Sequence, residues 1–287
     1  MLSQGKSLDT LIPDIYHAVK EGVAVTEAQA QKFGHTLSNL ISERLRPRAE
    51  PRAFTLRMSN IGKGARQLWY EKRFASGEEF QGPTLIKFIY GEILEQLVLF
   101  LADAAGHKVT EHQGEVSLNG IRGHIDADIN TVTIDVKSAS PYSFKKFKDG
   151  SLVDNDSFGY MEQLASYSEA RGTDGAFIAI DKVSGELAKL SFTKEELSQI
   201  KVADRIDFLK VVVESDDIPE RCYSDEEYGK SGNRALSVNC SYCGYKDRCW
   251  ADANGGTGLR KFIYSSKPVF MTEVRVEPKV FEVFPTK

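Results

Sequence analysis

Two acidic side chains and one amine are predicted to meet at a β-hairpin near the middle of the chain. Alternating apolar and polar residues predict strands over 121–129 and 131–136, joined by a turn at Asn130. Asp135 and Lys137 lie two apart and so on one face, and Asp126 lies on the facing strand. Carboxylates bind hard divalent ions whose waters can attack phosphorus, and an amine can orient that water. The alternative is an ordinary surface charge pair.

Further polar residues that could join this site lie on two predicted helices. Pro83 begins an amphipathic helix that extends to about residue 106 and contains Glu92 and Glu95. A later helix over 158–170 carries Gln163 and Tyr167, which are four apart and share a face.

The remaining elements fit a mixed α/β plan. Periodic apolar residues predict an N-terminal helical appendage, with Thr26 as a helix cap, and further strands before and after the central hairpin. The predicted segments are helices over 7–22 and 26–45, a strand over 108–116, strands over 175–180 and 188–192, a helix capped by Thr193, and an extended tail over 274–283.

Two basic stretches could contact a nucleic acid. A predicted loop over 138–155 alternates Lys145 and Lys146 with aromatic residues, a pattern that can bind phosphates and stack bases or simply be solvated. A helix predicted to be capped by Ser59 carries Arg66 among aromatic residues, which favours either a structural helix or a contact with a DNA strand.

All four cysteines lie close together in the last quarter of the chain. They are Cys222, Cys240, Cys243 and Cys249. Their short spacings are typical of one metal or cluster site, and four thiolates suit either zinc or a [4Fe-4S] cluster. The role expected for the metal is structural.

Composition limits the class of protein. The 287 residues include 41 acidic and 37 basic side chains, so no chain-wide basic field indicates nucleic acid. The sequence shows neither a long apolar run nor a secretory signal at its amino end. We therefore expect a soluble, intracellular, cytoplasmic protein without a membrane partner.

The order of Glu95, Asp126, Asp135, Lys137 and the Gln163-x-x-x-Tyr167 element resembles the PD-(D/E)XK nuclease superfamily. More narrowly, the chain is similar to RecB-like exonucleases with a four-cysteine site, including the CRISPR adaptation nucleases and the AddB nuclease domains. The resemblance implies an α/β, restriction-endonuclease-like mixed central sheet flanked by helices. It also implies a helical appendage over 1–50, a nuclease core over 51–220 and a cysteine-ligated segment with its tail over 221–287.

The same resemblance implies roles for individual residues. Glu95, with Glu92 as the weaker candidate, Asp126, Asp135 and the carbonyl of Val136 would bind Mg²⁺ or Mn²⁺. Lys137 would be the catalytic lysine, and Gln163 and Tyr167 would contact DNA near the scissile phosphate.

At the cysteines the resemblance favours a [4Fe-4S] cluster over zinc. In the relatives the first cysteine precedes an arginine in a segment similar to the one that here contains Gly64 and Arg66. Because Gly64 has no thiol, Cys222 is expected to replace that ligand.

The resulting expectation is a Mg²⁺- or Mn²⁺-dependent deoxyribonuclease. The expected activity is that of an exonuclease on single-stranded or frayed DNA ends, in replication, recombination, repair or CRISPR-type processing and with proteins of those pathways as partners. The alternatives are an inactive DNA-binding or assembly subunit with the same fold, and a restriction-type endonuclease.

Overall fold

Helices and strands follow one another throughout the part of the chain that the computed structural model describes, residues 6–47, 53–74, 81–265 and 267–284. After a 3-10 turn at Leu8–Thr10, the helices are α1 Leu11–Glu21, α2 Glu27–Leu45, α3 Ala65–Arg73, α4 Gly82–Ala104, α5 Pro141–Lys148, α6 Tyr160–Arg171, α7 Lys194–Ser198, α8 Val202–Glu214, α9 Val238–Ser241, α10 Lys246–Cys249 and α11 Ala253–Gly256. The strands are β1 Val109–Thr110, β2 Glu115–Leu118, β3 Ile121–His124, β4 Ala127–Ile129, β5 Val132–Ala139, β6 Gly175–Asp181, β7 Leu187–Phe192, β8 Asp225–Tyr228, β9 Asn233–Leu236, β10 Arg260–Tyr264, β11 Lys267–Glu273 and β12 Glu282–Val283.

The chain divides into two compact units. The first comprises Met1–Arg52, Leu56–Gly62 and Phe80–Phe208, and the second comprises Ala53–Thr55, Lys63–Glu79 and Leu209–Lys287. The boundary predicted at residue 50 falls among residues 48–52, which lie outside the described residues.

The first unit contains a mixed five-stranded sheet in the order β1-β4-β5-β6-β7. Strand β5 runs parallel to β6, and the other neighbours are antiparallel. Ile134 and Ile178 pack in a buried cluster with residues of α1 and α4. The alternate residues Asp135 and Phe177, paired in register, face the opposite side of the sheet. The predicted α/β class, with a mixed central sheet flanked by helices, is confirmed.

The central hairpin differs from its prediction in one respect. The strand predicted over 121–129 is two strands, because β3 pairs with β2 in a separate ribbon while β4 pairs with β5. The chain bends at Asp126 between them. The turn at Asn130 is confirmed, and it extends to Thr131, with φ of 51° and 75°. Positive φ at both turn residues matches the twist of a two-residue hairpin.

The loop predicted over 138–155 is wrong for its first half, which forms α5. Ser140 caps this helix by accepting a hydrogen bond from the backbone N–H of Ser143, and Pro141 occupies the first turn. Phe144 and Phe147 are both buried, since residues three apart share a helix face. These aromatic rings belong to the core and are not available to stack bases.

Local capping signals were read correctly at two helices and wrongly at a third. Thr26 and Thr193 cap α2 and α7, each within a reciprocal capping box. Ser59 lies instead in a turn, and α3 begins after Gly64.

The second unit contains an antiparallel sheet in the order β12-β10-β11-β9-β8, where the sequence had predicted only an extended tail. Phe262 and Met271 are buried in it. Short helices α9, α10 and α11 connect β9 to β10. In neither unit does a described helix combine the length and the apolar character needed to cross a membrane.

Candidate active site and candidate metal centre

Asp135 and Lys137 form a buried ion pair on β5. Nζ of Lys137 lies 2.6 Å from Oδ2 of Asp135, and the two side chains are 16% and 2% exposed. Although the charges are close, Oδ2 of Asp135 is buried without an aligned hydrogen bond among the described residues. The pair therefore combines a fixed amine with a carboxylate oxygen that retains capacity for another ligand.

The amine of Lys137 is held by α6 as well as by its own strand. It donates a 3.3 Å hydrogen bond to Oε1 of Gln163 and lies 4.5 Å from the ring centroid of Tyr160. Nε2 of Gln163 in turn donates to the hydroxyl of Tyr167 at 2.9 Å. Tyr167 is 1% exposed and its hydroxyl positions Gln163, while its contact with DNA stays a prediction.

Asp126 lies at the bend where the chain leaves β3 and enters β4. Its Oδ2 accepts a 2.7 Å hydrogen bond from the backbone N–H of Val136, which places its carboxyl group beside β5 between Asp135 and Lys137. The strand break thus gives Asp126 a position that a continuous strand would not. The carbonyl of Val136 stays a predicted metal ligand.

Glu95 reaches the site because α4 packs closely on β5. A Cβ atom on Gly91, one turn earlier, would lie 3.0 Å from Oγ of Ser138, so glycine permits this approach despite its low helix propensity. Oε1 of Glu95 accepts hydrogen bonds from Gln113 and Gln96, each at 2.9 Å. Glu92 is instead paired with Arg44 of α2, which distinguishes the two predicted glutamates.

Burial raises the pKa of all three carboxyl groups, and a neighbouring carboxylate raises it further at Glu95 and Asp126. Burial, and then the charge of Asp135, raises the pKa of Glu95 to about 7. Burial, followed by the charges of Asp135 and Glu95, raises the pKa of Asp126. Burial also raises the pKa of Asp135, although Lys137 opposes it. Burial opposes the charge on Lys137, but Asp135 and Asp126 outweigh it and raise the pKa of its amine. The single positive charge of Lys137 is too little to neutralise three ionised carboxylates.

The donor set has the chemistry of a magnesium or manganese site. Hard carboxylate oxygens are the ligands that these ions prefer, and Oδ2 of Asp135, although paired with Lys137, is an oxygen with a second lone pair that a cation could use. Within the described residues, however, no three His, Cys, Asp or Glu side chains are arranged as ligands of one ion. Glu95 is turned toward Gln113, and Asp126 is turned toward the N–H of Val136. The residues fit a cation by type and charge, while their side chains are engaged with protein donors.

The predicted DNA-contacting lysines lie on α5, and the predicted arginine lies elsewhere. Lys145 is exposed, and Nζ of Lys146 donates to the carbonyl of Asn155 at 2.8 Å. Arg66 belongs to the second unit, where it donates to the carbonyl of Pro219 and lines the cavity described below. Contact between DNA and these three residues stays a prediction.

Gln113 and Tyr160 were missed by the sequence analysis. Tyr160 is three residues before Gln163 and so shares its helix face, a spacing that could have indicated it. Gln113 follows no such pattern, because its reach to Glu95 depends on a left-handed backbone with φ of 52°.

In the second unit, the four predicted cysteine ligands line one cavity. Cys222, Cys240, Cys243 and Cys249 border it together with Arg66, Arg221 and Trp250. All four thiols are free. Short turns bring three of them together: the N–H of Cys243 donates to the carbonyl of Cys240, and the N–H of Cys249 donates to that of Tyr245.

The cavity suits a metal ion or cluster that is ligated by cysteine sulfur. Burial raises the pKa of Cys243 to about 11 and also raises those of Cys240 and Cys249, so these thiols hold their protons at neutral pH without a metal. Nε of Arg66 is buried without a hydrogen-bond partner within the described chain, and the buried Nε1 of Trp250 is close enough to the thiol of Cys240 to lower its pKa against the effect of burial. Such N–H groups are suitable donors to metal-bound sulfur. As at the carboxylates, the described cysteines are not arranged as a formed metal site.

Gly64 leaves room for the thiol of Cys222. A Cβ atom on Gly64 would lie 2.3 Å from Sγ and 2.7 Å from Cβ of Cys222. The space that a side chain at position 64 would need is therefore filled by Cys222, as expected if this cysteine takes over the role of a missing ligand.

Comparisons with known proteins give only distant similarities. Neither a protein-family model nor a curated protein matches the sequence. Among solved structures, SSO0001 is similar at 16% identity with a TM-score of 0.41, over 74% of this chain and 93% of its own. A phage-related exonuclease from Haemophilus somnus 129PT is similar at 14% identity with a TM-score of 0.43, over 56% and 94%. The alkaline exonuclease LHK-Exo from Laribacter hongkongensis is similar at 14% identity with a TM-score of 0.33, over 54% and 91%. With these TM-scores below 0.5, we infer neither fold nor function from the matches.

Proposed function

We propose that this protein is a Mg²⁺- or Mn²⁺-dependent DNA nuclease that removes nucleotides from single-stranded or frayed ends. The observation that carries the proposal is the amine of Lys137, fixed between Asp135 and Gln163 next to two further carboxyl groups whose pKa values are raised. A buried amine among undercompensated acids is poorly explained as a surface charge pair. It suits a site that binds a cation and a phosphate.

The chain's own residues would share the work as follows. Glu95, Asp126, Asp135 and the carbonyl of Val136 would hold the metal, which when bound supplies Lewis-acid activation of water and charge neutralisation at the phosphate. Lys137 would orient the attacking water and offset charge that develops on the phosphate oxygens. Gln163 holds the amine, and the buried hydroxyl of Tyr167 holds Gln163.

A second candidate function is a DNA-binding or assembly subunit without activity. It is favoured by the absence, among the described residues, of three acidic, histidine or cysteine side chains set as ligands of one ion. The same cluster would then hold a structural cation without cleaving DNA.

Incubation with end-labelled linear DNA and closed circular DNA, in the presence of Mn²⁺, distinguishes these functions. An exonuclease shortens the linear substrate and spares the circle, whereas a restriction-type endonuclease yields discrete fragments from the circle. A shifted but intact band supports the binding subunit. Asp135→Asn, which removes one charge at nearly constant volume, is expected to abolish cleavage, and cleavage at the wild-type rate by this variant would reject the assignment.

We further propose that the four cysteines hold a structural [4Fe-4S] cluster, with zinc as the alternative. The proposal is supported by their common cavity, by the buried N–H groups of Arg66 and Trp250, and by the fit of Cys222 beside Gly64. Anaerobic purification followed by visible absorption and elemental analysis tests it. Iron with broad visible absorption supports the cluster, zinc without colour supports the alternative, and neither metal would refute both.

A further inference from the structure

Gln113 bonds to two of the candidate metal ligands at once. Its side-chain Nε2 donates a 2.9 Å hydrogen bond to Oε1 of Glu95, and its backbone N–H donates a 3.1 Å hydrogen bond to the carbonyl of Asp126. Glu95 belongs to α4, whereas Asp126 lies between β3 and β4. One residue in the connection between β1 and β2 therefore links the two segments that carry these acids.

Hydrogen bonds fix the turn that carries Gln113. The backbone N–H of Gly114 donates to the carbonyl of Glu111 at 2.9 Å, which closes a four-residue turn. The N–H of Ile125 donates to the carbonyl of Gly114 at 3.0 Å, which joins the turn to the connection that contains Asp126. Because the backbone is bonded on both sides of residue 113, the direction in which its side chain leaves the turn is set.

The backbone of Gln113 has a conformation that favours a different residue. Its φ is 52°, in the left-handed region, at the third position of this turn. Glycine or asparagine is the usual residue there, because a longer side chain crowds the backbone. Such strained residues concentrate at binding and catalytic sites. Glycine has no amide, and that of asparagine is one methylene closer to the backbone, so glutamine adds reach toward Glu95.

The hydrogen bonds to Glu95 use one of its two oxygens. Nε2 of Gln96 and Nε2 of Gln113 both donate to Oε1, so Oε2 is the oxygen left for a cation. Burial, and then the charge of Asp135, raises the pKa of Glu95, which shows that the two carboxyl groups are near each other. Hydrogen bonds from neighbouring polar groups commonly orient the protein ligands of a metal and set its affinity.

We propose that Gln113 is a positioning residue of the metal site, which holds Glu95 by Oε1 so that Oε2 can bind the cation shared with Asp126 and Asp135. The inference rests on the proposed function and adds to it a residue that sets metal affinity without binding the metal. The bond from Gln113 to the carbonyl of Asp126 comes from the backbone, so a substitution of the side chain tests the bond to Glu95 alone.

Mn²⁺ binding to the full-length protein, measured by calorimetry without DNA, tests this role. Gln113→Met keeps the length of the side chain but lacks the amide, and Gln113→Gly removes the side chain and suits the positive φ. Both variants are expected to bind Mn²⁺ about 10- to 100-fold more weakly. Lys201→Gly is the matched control, because Lys201 is also exposed with φ of 52°, and its Mn²⁺ affinity should equal that of the wild type.

Cleavage gives a second readout that a purely structural role would not produce. The Mn²⁺ concentration at half-maximal rate should rise in both Gln113 variants by the same factor as the dissociation constant. The rate at saturating Mn²⁺ should stay close to that of the wild type, because the lost interaction affects metal binding alone. Thermal midpoints in EDTA verify that each variant is folded.

The other outcomes overturn the inference in distinguishable ways. Wild-type affinity in both Gln113 variants rejects the positioning role while the nuclease proposal stands. Higher affinity would mean that Gln113 competes with the cation for Glu95, which also rejects the role. Weaker binding by Gln113→Gly with normal binding by Gln113→Met would assign the effect to the backbone. If the wild-type protein binds no Mn²⁺ and cuts no DNA, the proposed function fails and this inference falls with it.

Discussion

The thiol of Cys222 occupies the space that a side chain at position 64 would need, since a Cβ atom on Gly64 would lie 2.3 Å from Sγ of Cys222. The two residues are far apart in sequence, and their relation depends on the fold of the second unit. A cysteine at position 222 in this conformation therefore requires glycine at position 64.

Gly64→Ala should disturb the cysteine site. The added methyl group must displace the thiol or the backbone, an overpacking that typically costs about 1–3 kcal/mol. We expect lower iron or zinc content per chain, measured by elemental analysis, and a lower thermal midpoint. Gly34→Ala is the control, because nothing lies within 4 Å of the Cβ position at Gly34 in α2. Metal content equal to that of the wild type would contradict the site. The double variant Gly64→Cys with Cys222→Ala should recover metal that Cys222→Ala alone loses.

Lys137→Met should separate cation binding from catalysis. The substitution keeps the length of the side chain but removes the charge that pairs with Asp135, so cleavage should fall about 10²- to 10³-fold, as when a charge-stabilising donor is lost. Mn²⁺ binding, followed by calorimetry, should persist, since the carboxylates remain. Lys148→Met removes an exposed amine paired with Glu186 and should cleave normally. An unchanged single-turnover rate for Lys137→Met would exclude the amine from the reaction.

The metal-free protein should lose stability as pH rises toward 7. The pKa of Glu95 is about 7 in the folded state and about 4.5 when unfolded, so between these values the folded state binds more protons. Stability from this group is complete below about pH 4.5 and is lost as pH rises through 7, with an effect on the order of 3 kcal/mol. The free energy of unfolding, measured with urea in EDTA from pH 5 to 8, should decline accordingly.

Glu95→Gln provides the control for that dependence. A neutral amide cannot titrate, so the decline should become smaller, and the variant should be more stable than the wild type in EDTA at pH 8. Added Mn²⁺ should stabilise the wild type at pH 8 more than the variant. Identical pH profiles for the two proteins would show that Glu95 does not titrate in this range.

Tyr167→Phe should slow cleavage without creating a cavity in the core. The ring stays, and only the hydroxyl that accepts from Gln163 is lost, so stability should change by no more than about 1.5 kcal/mol. Cleavage should fall about tenfold because Gln163 no longer has a fixed orientation toward Lys137. Tyr245→Phe, which removes a hydroxyl that donates to the carbonyl of Phe74 in the second unit, is the comparison. A thermal midpoint that drops while the rate at saturating DNA stays constant would assign Tyr167 to the core alone.

Local signals in the sequence predicted the elements that depend on local physics. The helix caps at Thr26 and Thr193, the turn at Asn130 and the hairpin of β6 and β7 all agree with the structure. Asp135 and Lys137 share a face because the strand period alone requires it. These features need only neighbouring residues for their explanation.

Features that depend on distant residues were not predictable in the same way. Phe144 and Phe147 were read as an alternating loop because their burial depends on packing, as in the 5.6 Å contact of Phe147 with Phe177. The sheet of the second unit was missed because its short strands, such as β8 with two exposed acids, show little alternation. Gln113 was missed because its reach to Glu95 depends on where the chain folds back.

The bend at Asp126 makes the site sensitive to the length of the chain as well as to its composition. Between β3, paired outside the central sheet, and β4, paired within it, only Ile125 and Asp126 connect the two. A single inserted or deleted residue in this connection would reverse which way each following side chain points, or would shift the carboxyl group off the N–H of Val136. The number of residues between β3 and β4 is therefore part of the site, because it decides where the carboxyl group of Asp126 lies.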